Sequence, residues 1–268
     1  MSENRGAPEG ADASKPNSAR MFDYLLGGKD NYEIDRMAVH AMLAVAPDTR
    51  TLAWFSRQFL LKAVQIAAES GVRQFIDLGA GIPTSPAVHE VAQKVDSSAR
   101  VVSIDFDPVV QVHATAMLSG IPGVTPMLAD ARKPDDIIAR LRADRLIDFD
   151  RPVAVLMVGL LHFVMDEEHP AEIVARFREV MAPGSYLAFT HGGDESDPAF
   201  IQQTVKDTGG STAHPVYRSR AEVASFFEGF EMLGPGVVPL QEWLGGDLPH
   251  TGLVLLGGIC RTPTARKD

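Results

Sequence analysis

From Arg73 to Thr190 the chain alternates between two apolar periods. Short runs that are apolar at nearly every position read as strands buried on both faces: Arg73–Leu78, Arg100–Ile104, Val124–Leu128, Val153–Val158 and Tyr186–Thr190. Pro86–Val95, Pro108–Leu118, Pro134–Ala143 and Ala171–Met181 lie between them and carry the spacing of helices. Ser85 is placed to cap the first of these, with Pro86 as its first helical residue. Strand and helix in alternation predict a Rossmann-like α/β fold, a parallel sheet with helices on both faces. Beyond Asp197 the texture changes. Pro198–Thr208 and Arg220–Phe227 look helical, and Phe230–Leu233, Gly236–Leu240 and Gly252–Ile259 look like strands joined by Gly/Pro turns. That pattern fits an antiparallel finish to the sheet.

Ahead of the alternation the chain divides in two. Residues 1–18 are rich in Gly, Pro, Ser, Asn and Ala and read as a disordered tail. Ser18–Arg36 packs aromatics, a Gly-Gly pair and charges into a short stretch. It leads into a helix with Ile34, Met37, Ala38, Ala41, Met42 and Val45 at helical spacing, broken by Pro47-Asp48. A second helix places Leu52, Phe55, Phe59, Val64 and Ala67 on one face, with Gly71 at its C-terminal cap. The expected organisation is a tail (1–18), a helical cap (19–70) and one α/β domain (71–262).

Charge and cysteine content narrow the functional classes. The 268 residues carry a formal net charge of −10, which argues against a general binder of the nucleic-acid backbone. A single cysteine, Cys260, permits no internal disulfide and no cysteine-rich zinc site. With no secretory segment, a reducing cytoplasm is the expected compartment. The longest apolar run, Val153–Leu161, is far short of a membrane span. The sequence specifies no oligomeric state and is compatible with a homodimer.

Three strand ends carry candidate chemistry. Phe75-Ile76-Asp77-Leu78-Gly79-Ala80-Gly81 takes a strand into a glycine turn, where positive φ and close approach of backbone to a ligand are available. A dinucleotide fingerprint would place a third glycine where Thr84 stands, and the Asp77 carboxylate would repel a pyrophosphate. Asp77 suits a ligand with an ammonium group; the bland alternative is a tight turn with no ligand. Asp105 ends the next strand, 24 residues after Gly81, where an acid accepts hydrogen bonds from ribose hydroxyls. Asp107, directly before Pro108, suits a helix cap as well as a ligand contact. Asp130 and Ala131 follow the third strand, where an acid can accept from an exocyclic amine or cap the helix at Pro134.

Taken in order, DLGAG, SIDFDP, LADA and the apolar strand ending GLLHFV resemble the motif series of class I S-adenosylmethionine-dependent methyltransferases. SARMFDYLLGGKDNYEIDR and RQFIDLGAGIPTSPAVHEVAQ are similar to one bacterial family of predicted S-adenosyl methyltransferases, largely without assigned substrates. The resemblance runs from about Ser18 to Ile259. It implies a seven-stranded sheet, six strands parallel and one antiparallel, with an N-terminal helical cap. It also implies S-adenosylmethionine as cofactor. Asp77, Gly79, Ala80 and Gly81 would border the methionine moiety, Asp105 would hold the ribose, and Phe106 would lie against the adenine. Asp130 and Ala131 would contact the adenine edge, and Gly159–His162 would face the sulfonium and the acceptor. The class often has a further glycine near position 83 or 84, and Pro83-Thr84 stand there instead.

The methyl acceptor is less legible. Methyl transfer is an in-line displacement in which the protein mostly aligns donor and nucleophile. His162 is the best-placed candidate base, although a histidine packed beside Phe163 for structure fits the same position; His191 is a weaker candidate. Met21–Asn31, with Phe22, Tyr24, Lys29, Asp30 and Asn31 around Gly27-Gly28, could form a lid over the cofactor and a wall of the acceptor pocket, with Tyr24 a further catalytic candidate, or could be a surface connection. An Asn-Pro-Pro-Tyr motif is absent after the fourth strand, which counts against methylation of DNA bases. The expected function is methylation of a small molecule. The rivals are a non-catalytic S-adenosylmethionine-binding sensor and an NAD-dependent oxidoreductase.

Overall fold

The computed structural model describes residues 14–264. In chain order the helices are α1 (Ser18–Leu25), α2 (Glu33–Val45), α3 (Thr49–Glu69), α4 (Val88–Val95), α5 (Pro108–Leu118), α6 (Pro134–Ala143), α7 (Pro170–Val180), α8 (Pro198–Thr208), α9 (Arg220–Ser225) and α10 (Leu240–Leu244). The strands are β1 (Gln74–Leu78), β2 (Arg100–Asp105), β3 (Val124–Leu128), β4 (Ala154–Met157), β5 (Tyr186–Gly192), β6 (Glu231–Met232), β7 (Val238–Pro239) and β8 (Leu255–Arg261). They form one sheet in the order β3-β2-β1-β4-β5-β8-β6, with β7 also paired to β8. β1 to β5 are parallel, and β8 runs antiparallel to β5 and to both short strands. The architecture is the expected mostly parallel α/β sheet, with one difference. Eight strands replace seven because the sixth is broken at Gly234-Pro235-Gly236 into two pieces on the same partner.

Alternation along the strands divides the core between two faces. Ile76, Val102, Val155 and Leu187 pack with Ile137, Leu141, Ile173 and Phe177 of α6 and α7. Phe75, Val101, Ala154 and Ala188 pack on the other face with Phe55, Phe59, Ala63 and Ala92 of α3 and α4. The expected apolar face of α3 (Leu52, Phe55, Phe59, Val64, Ala67) is buried throughout, and Gly71, at φ +96°, ends that helix. Both faces of the central strands are thereby covered, which leaves their carboxyl ends as the open edge.

Three local readings need correction. The N-terminal tail cannot extend to residue 18. Residues 1–13 of it lie outside the described residues, but Asn17 is buried and its side chain accepts from Arg20 N to cap α1. On α2, Met37 is 58% exposed, and the inward face is instead Asp35, Ala38 and Val39. A buried carboxylate takes the place a purely apolar reading gives to methionine. α4 begins at Val88, not Pro86, and Ser85 does not cap it: the Glu90 carboxylate accepts from both Ala87 N and Ser85 Oγ.

Candidate functional site

Parallel register sets the acids side by side. Asp77 pairs with Ser103 and Asp105 with Leu128, so Asp77, Asp105 and Asp130 follow one another across the carboxyl edge of β1, β2 and β3. The turn after β1 is tied to β2 by Gly79 N and Ala80 N, both donating to Ile104 O at 2.9 and 3.0 Å. Gly79 has φ +68°, and a Cβ there would lie 3.0 Å from Leu160 Cδ1, so this turn against the β4 loop requires glycine. Asp105 is fixed from two sides: Gly81 N donates to Oδ2 at 2.9 Å and Asp107 N to Oδ1 at 3.0 Å. Asp105 also lines the cavity described below.

Asp77 lies beside Arg57 of α3, a residue the sequence reading missed. Burial pushes the Asp77 carboxyl up to about 7, against the pull of Arg57, and burial pushes Asp105 up to about 6. Burial also lowers the Arg57 guanidinium from its ordinary value. Arg57 Nη2 donates to Thr84 O and Pro86 O, which holds the turn after Gly81, and its Nε has no partner. Asp107 caps α5 by accepting from Val109 N at 2.8 Å. Its Oδ2 makes no hydrogen bond and stands 4.0 Å from Arg20 Nη1. Asp130 is held bidentately by Arg132, which also reaches Glu168 at 2.6 Å and lies 5.8 Å over the Phe106 ring. Its carboxylate is therefore already engaged, unlike the free acid the sequence suggests.

After β4, Gly159 N donates to Thr190 Oγ1 at 2.7 Å, and a short turn at Leu161–Phe163 presents His162. Burial, with His191 and Arg218 nearby, lowers His162 to about 3, so its imidazole is neutral at physiological pH and a poor proton acceptor. His191 is fully buried: Nδ1 donates to Gly192 O at 2.9 Å and Nε2 accepts from Arg218 Nη1 at 2.7 Å. Both ring nitrogens are engaged, which excludes His191 as a base. Arg218 continues to Val164 O and Asp166 at 2.9 and 2.6 Å, and so fastens the loop that carries His162.

The N-terminal segment forms a wall with part of the expected lid. Ser18, Ala19, Met21, Phe22 and Leu25 of α1 line the cavity. Tyr24 does not; its hydroxyl is 2.8 Å from His40 Nε2 and its ring lies under Arg50. The Gly27–Asn31 turn is pinned by Asp23, whose Oδ2 accepts from Asp30 N at 2.9 Å and Asn31 Nδ2 at 2.8 Å. A Cβ on Gly28 would fall 2.0 Å from Asp23 Oδ1, so this glycine serves close packing and not a hinge. α1 is anchored by Asp35, fully buried, which accepts from Asn17 N at 2.9 Å, Arg20 Nε at 2.8 Å and Tyr32 N at 2.8 Å.

These elements enclose a cavity of about 920 Å³. Among the described residues, the buried side-chain atoms without a hydrogen-bond partner include Arg57 Nε, Asp107 Oδ2, His162 Nδ1 and His214 Nδ1. All of these residues line this one cavity. Buried polar groups are normally paired, so such a concentration marks a site whose partners come from a ligand. Asp77 and Arg57 offer opposite charges to an amino-acid group, and Asp105 offers acceptors to a diol. The residues thus fit a nucleoside linked to an amino acid. Among the described residues no helix is long and apolar enough to cross a membrane.

Fold and site together define a class I methyltransferase with S-adenosylmethionine as its cofactor. Residues 4–262 match the model of the S-adenosyl methyltransferase family, and the chain belongs to that family. A DUF574 family protein from Streptomyces avermitilis has 34% identity over 94% of this chain and 99% of its own, with a TM-score of 0.88. A Thermobifida fusca protein has 36% identity over 96% and 98%, with a TM-score of 0.87. The fold is shared by the N-methyltransferase NodS of Bradyrhizobium japonicum, solved with S-adenosylhomocysteine, at 13% identity over 92% and 99% and a TM-score of 0.51. No curated protein matches the chain by sequence.

Proposed function

We propose that the protein methylates a small-molecule acceptor held in the same cavity as the cofactor. The observation that carries this reading is the pairing of Asp77 with Arg57 next to the doubly fixed Asp105. S-adenosylmethionine supplies a methyl group activated on a sulfonium. In this reading Asp77 takes the cofactor's ammonium and the free Nε edge of Arg57 its carboxylate. Gly79, Ala80 and Gly81 run along the methionine moiety. Asp105 accepts from the ribose hydroxyls, Phe106 covers one face of the adenine, and Asp130 and Ala131 border its edge. Asp107 shapes this end by capping α5 and facing Arg20. Gly159 leaves room at the sulfonium, and His162 orients the acceptor without taking its proton. The helical cap of residues 19–70 closes the site over the domain of residues 71–262, and α1 is the part that does so. A volume of about 920 Å³ suits a cofactor with a small acceptor.

Cofactor titration tests the assignment. A carboxyl raised to about 7 must ionise to hold an ammonium, so affinity rises with pH up to that value and is level above it. At pH 6 about a tenth of such a group is ionised, so calorimetry should show S-adenosylhomocysteine binding roughly tenfold weaker than at pH 8. NAD should show no comparable binding. Tight NAD binding without S-adenosylhomocysteine binding overturns the reading.

A further inference from the structure

Formal charge is unevenly spread over the cavity lining. Every Asp, Glu, Lys and Arg that lines it belongs to the N-terminal segment through Arg57, to the ends of β1–β3, or to Glu168, which pairs with Arg132. After Gly159, Glu168 apart, the lining comes from the 160–165 loop, Gly192, Ser196, α8, residues 210–217 and residues 253–255 and includes none of these four residue types; Thr212 accepts from Asn17 Nδ2 at 3.2 Å, which joins this part to the N-terminal segment. Aromatic rings furnish much of this chamber: Phe163 lies 4.2 Å from His162 and Phe200 6.4 Å from Tyr217, centroid to centroid. Leu253, Val254 and Leu255 add aliphatic surface. Val216 N donates to His162 O at 2.7 Å, which brings residues 214–217 against the β4 loop.

Two unpartnered buried atoms, His162 Nδ1 and His214 Nδ1, lie in this part of the lining, together with Thr204, whose hydroxyl meets that of Tyr217. They offer hydrogen bonds in a part of the lining without Asp, Lys or Arg, where burial keeps His162 neutral and raises the Tyr217 hydroxyl to about 12. A charged ligand would lose its hydration here without an opposite charge in exchange, whereas an uncharged ring compound would bury apolar area and satisfy the orphaned atoms.

We propose that the chamber beyond Gly159 is the acceptor subsite and binds an uncharged, largely apolar ring compound bearing a hydroxyl or amino group, with His162, Thr204 and His214 as its polar contacts. The proposal rests on the placement of the cofactor at the β1–β3 ends. It makes selectivity a matter of charge: these residues hold a polar substituent, and the apolar walls exclude acids and ammonium ions.

The test uses the full chain saturated with S-adenosylhomocysteine and three two-ring probes in equilibrium dialysis: 2-naphthol, 2-naphthoate and 2-naphthylmethylammonium. Naphthol should bind at least about tenfold more tightly than either ion. His162→Leu should weaken naphthol binding about tenfold, the size expected for losing a buried hydrogen bond. His162→Asn places a polar atom where Nδ1 lies and should restore most of it. Thr204→Val, an isosteric change, should also weaken naphthol binding and carries the test if His162→Leu does not fold. Equal or tighter binding of either ion, no retention of naphthol, or the same naphthol affinity in wild type and the folded variants overturns the proposal. Separate titration of S-adenosylhomocysteine tells the two readings apart: if it does not bind, the cofactor assignment falls and the chamber's role as acceptor subsite falls with it.

Discussion

Asp105→Ala is expected to cut the affinity for S-adenosylhomocysteine on the order of ten- to hundredfold while leaving a folded protein. The carboxylate is 8% exposed and already accepts from Gly81 N and Asp107 N. It is thus oriented before any ligand arrives, and it lines the cavity in which the proposed reading holds the ribose. Losing hydrogen bonds to a charged acceptor typically costs roughly 1.5–3 kcal/mol, which sets the expected range. The fold should survive because Asp105 sits at a strand end, outside both apolar clusters of the core. Calorimetry on the variant, with circular dichroism to confirm folding, decides the matter. A folded variant that binds like wild type refutes the ribose assignment.

Asp35→Ala is expected to have a larger effect of a different kind. Asp35 accepts from Asn17 N, Arg20 Nε and Tyr32 N, so it gathers the start of α1, the middle of α1 and the start of α2 on one carboxylate. Its ion pair with Arg20 is almost fully buried, with side-chain exposures of 2% and 0%. Removing one member of a buried pair typically costs about 3–5 kcal/mol. The loss should concentrate in α1, which has only eight residues and packs through the small cluster of Met21, Ala38, Val39 and Ala213. Hydrogen exchange in residues 18–35 should therefore accelerate by on the order of a hundredfold or more, while β1–β5 keep their protection. S-adenosylhomocysteine binding should weaken as well, because α1 supplies a wall of the cavity. Unchanged exchange in α1 together with unchanged binding would show that this network neither holds the wall nor matters to the site.

These two residues also show what could be read from the sequence. Asp105 was legible because three local signals coincide: a continuous apolar run, an acid at its end and a proline opening the next helix. The same logic gave Asp77 and Asp130, and parallel register then brought them together. Asp35 was illegible because apolar periodicity treats a carboxylate as a solvent-facing position, and Arg20, its partner, lies fifteen residues away within a segment not recognised as a helix. Asn17, followed by Ser-Ala-Arg, was the available cap signal for α1, and it was read as part of a tail. Arg57 was missed for a related reason. It lies between Phe55 and Phe59 on a helix whose apolar face explains the whole stretch, and Asp77 is twenty residues further on. Tyr24 attracted notice as an aromatic next to glycines, but the helical turn from Met21 and Phe22 carries it to the outer side, where His40 and Arg50 receive it. The structure places His162 beside the cavity; its low basicity comes from burial next to His191 and Arg218, which only the fold brings near.

The central claim is that this chain transfers a methyl group from S-adenosylmethionine to a small molecule. It is tested most directly by incubating the protein, with S-adenosylmethionine labelled in the methyl group, in a whole-cell extract of the source organism. The account predicts that S-adenosylhomocysteine accumulates in step with label entering the low-molecular-weight organic fraction, and that Asp105→Ala sharply reduces both. Binding of the cofactor with no S-adenosylhomocysteine formed, or label recovered only in protein or nucleic acid, would contradict it.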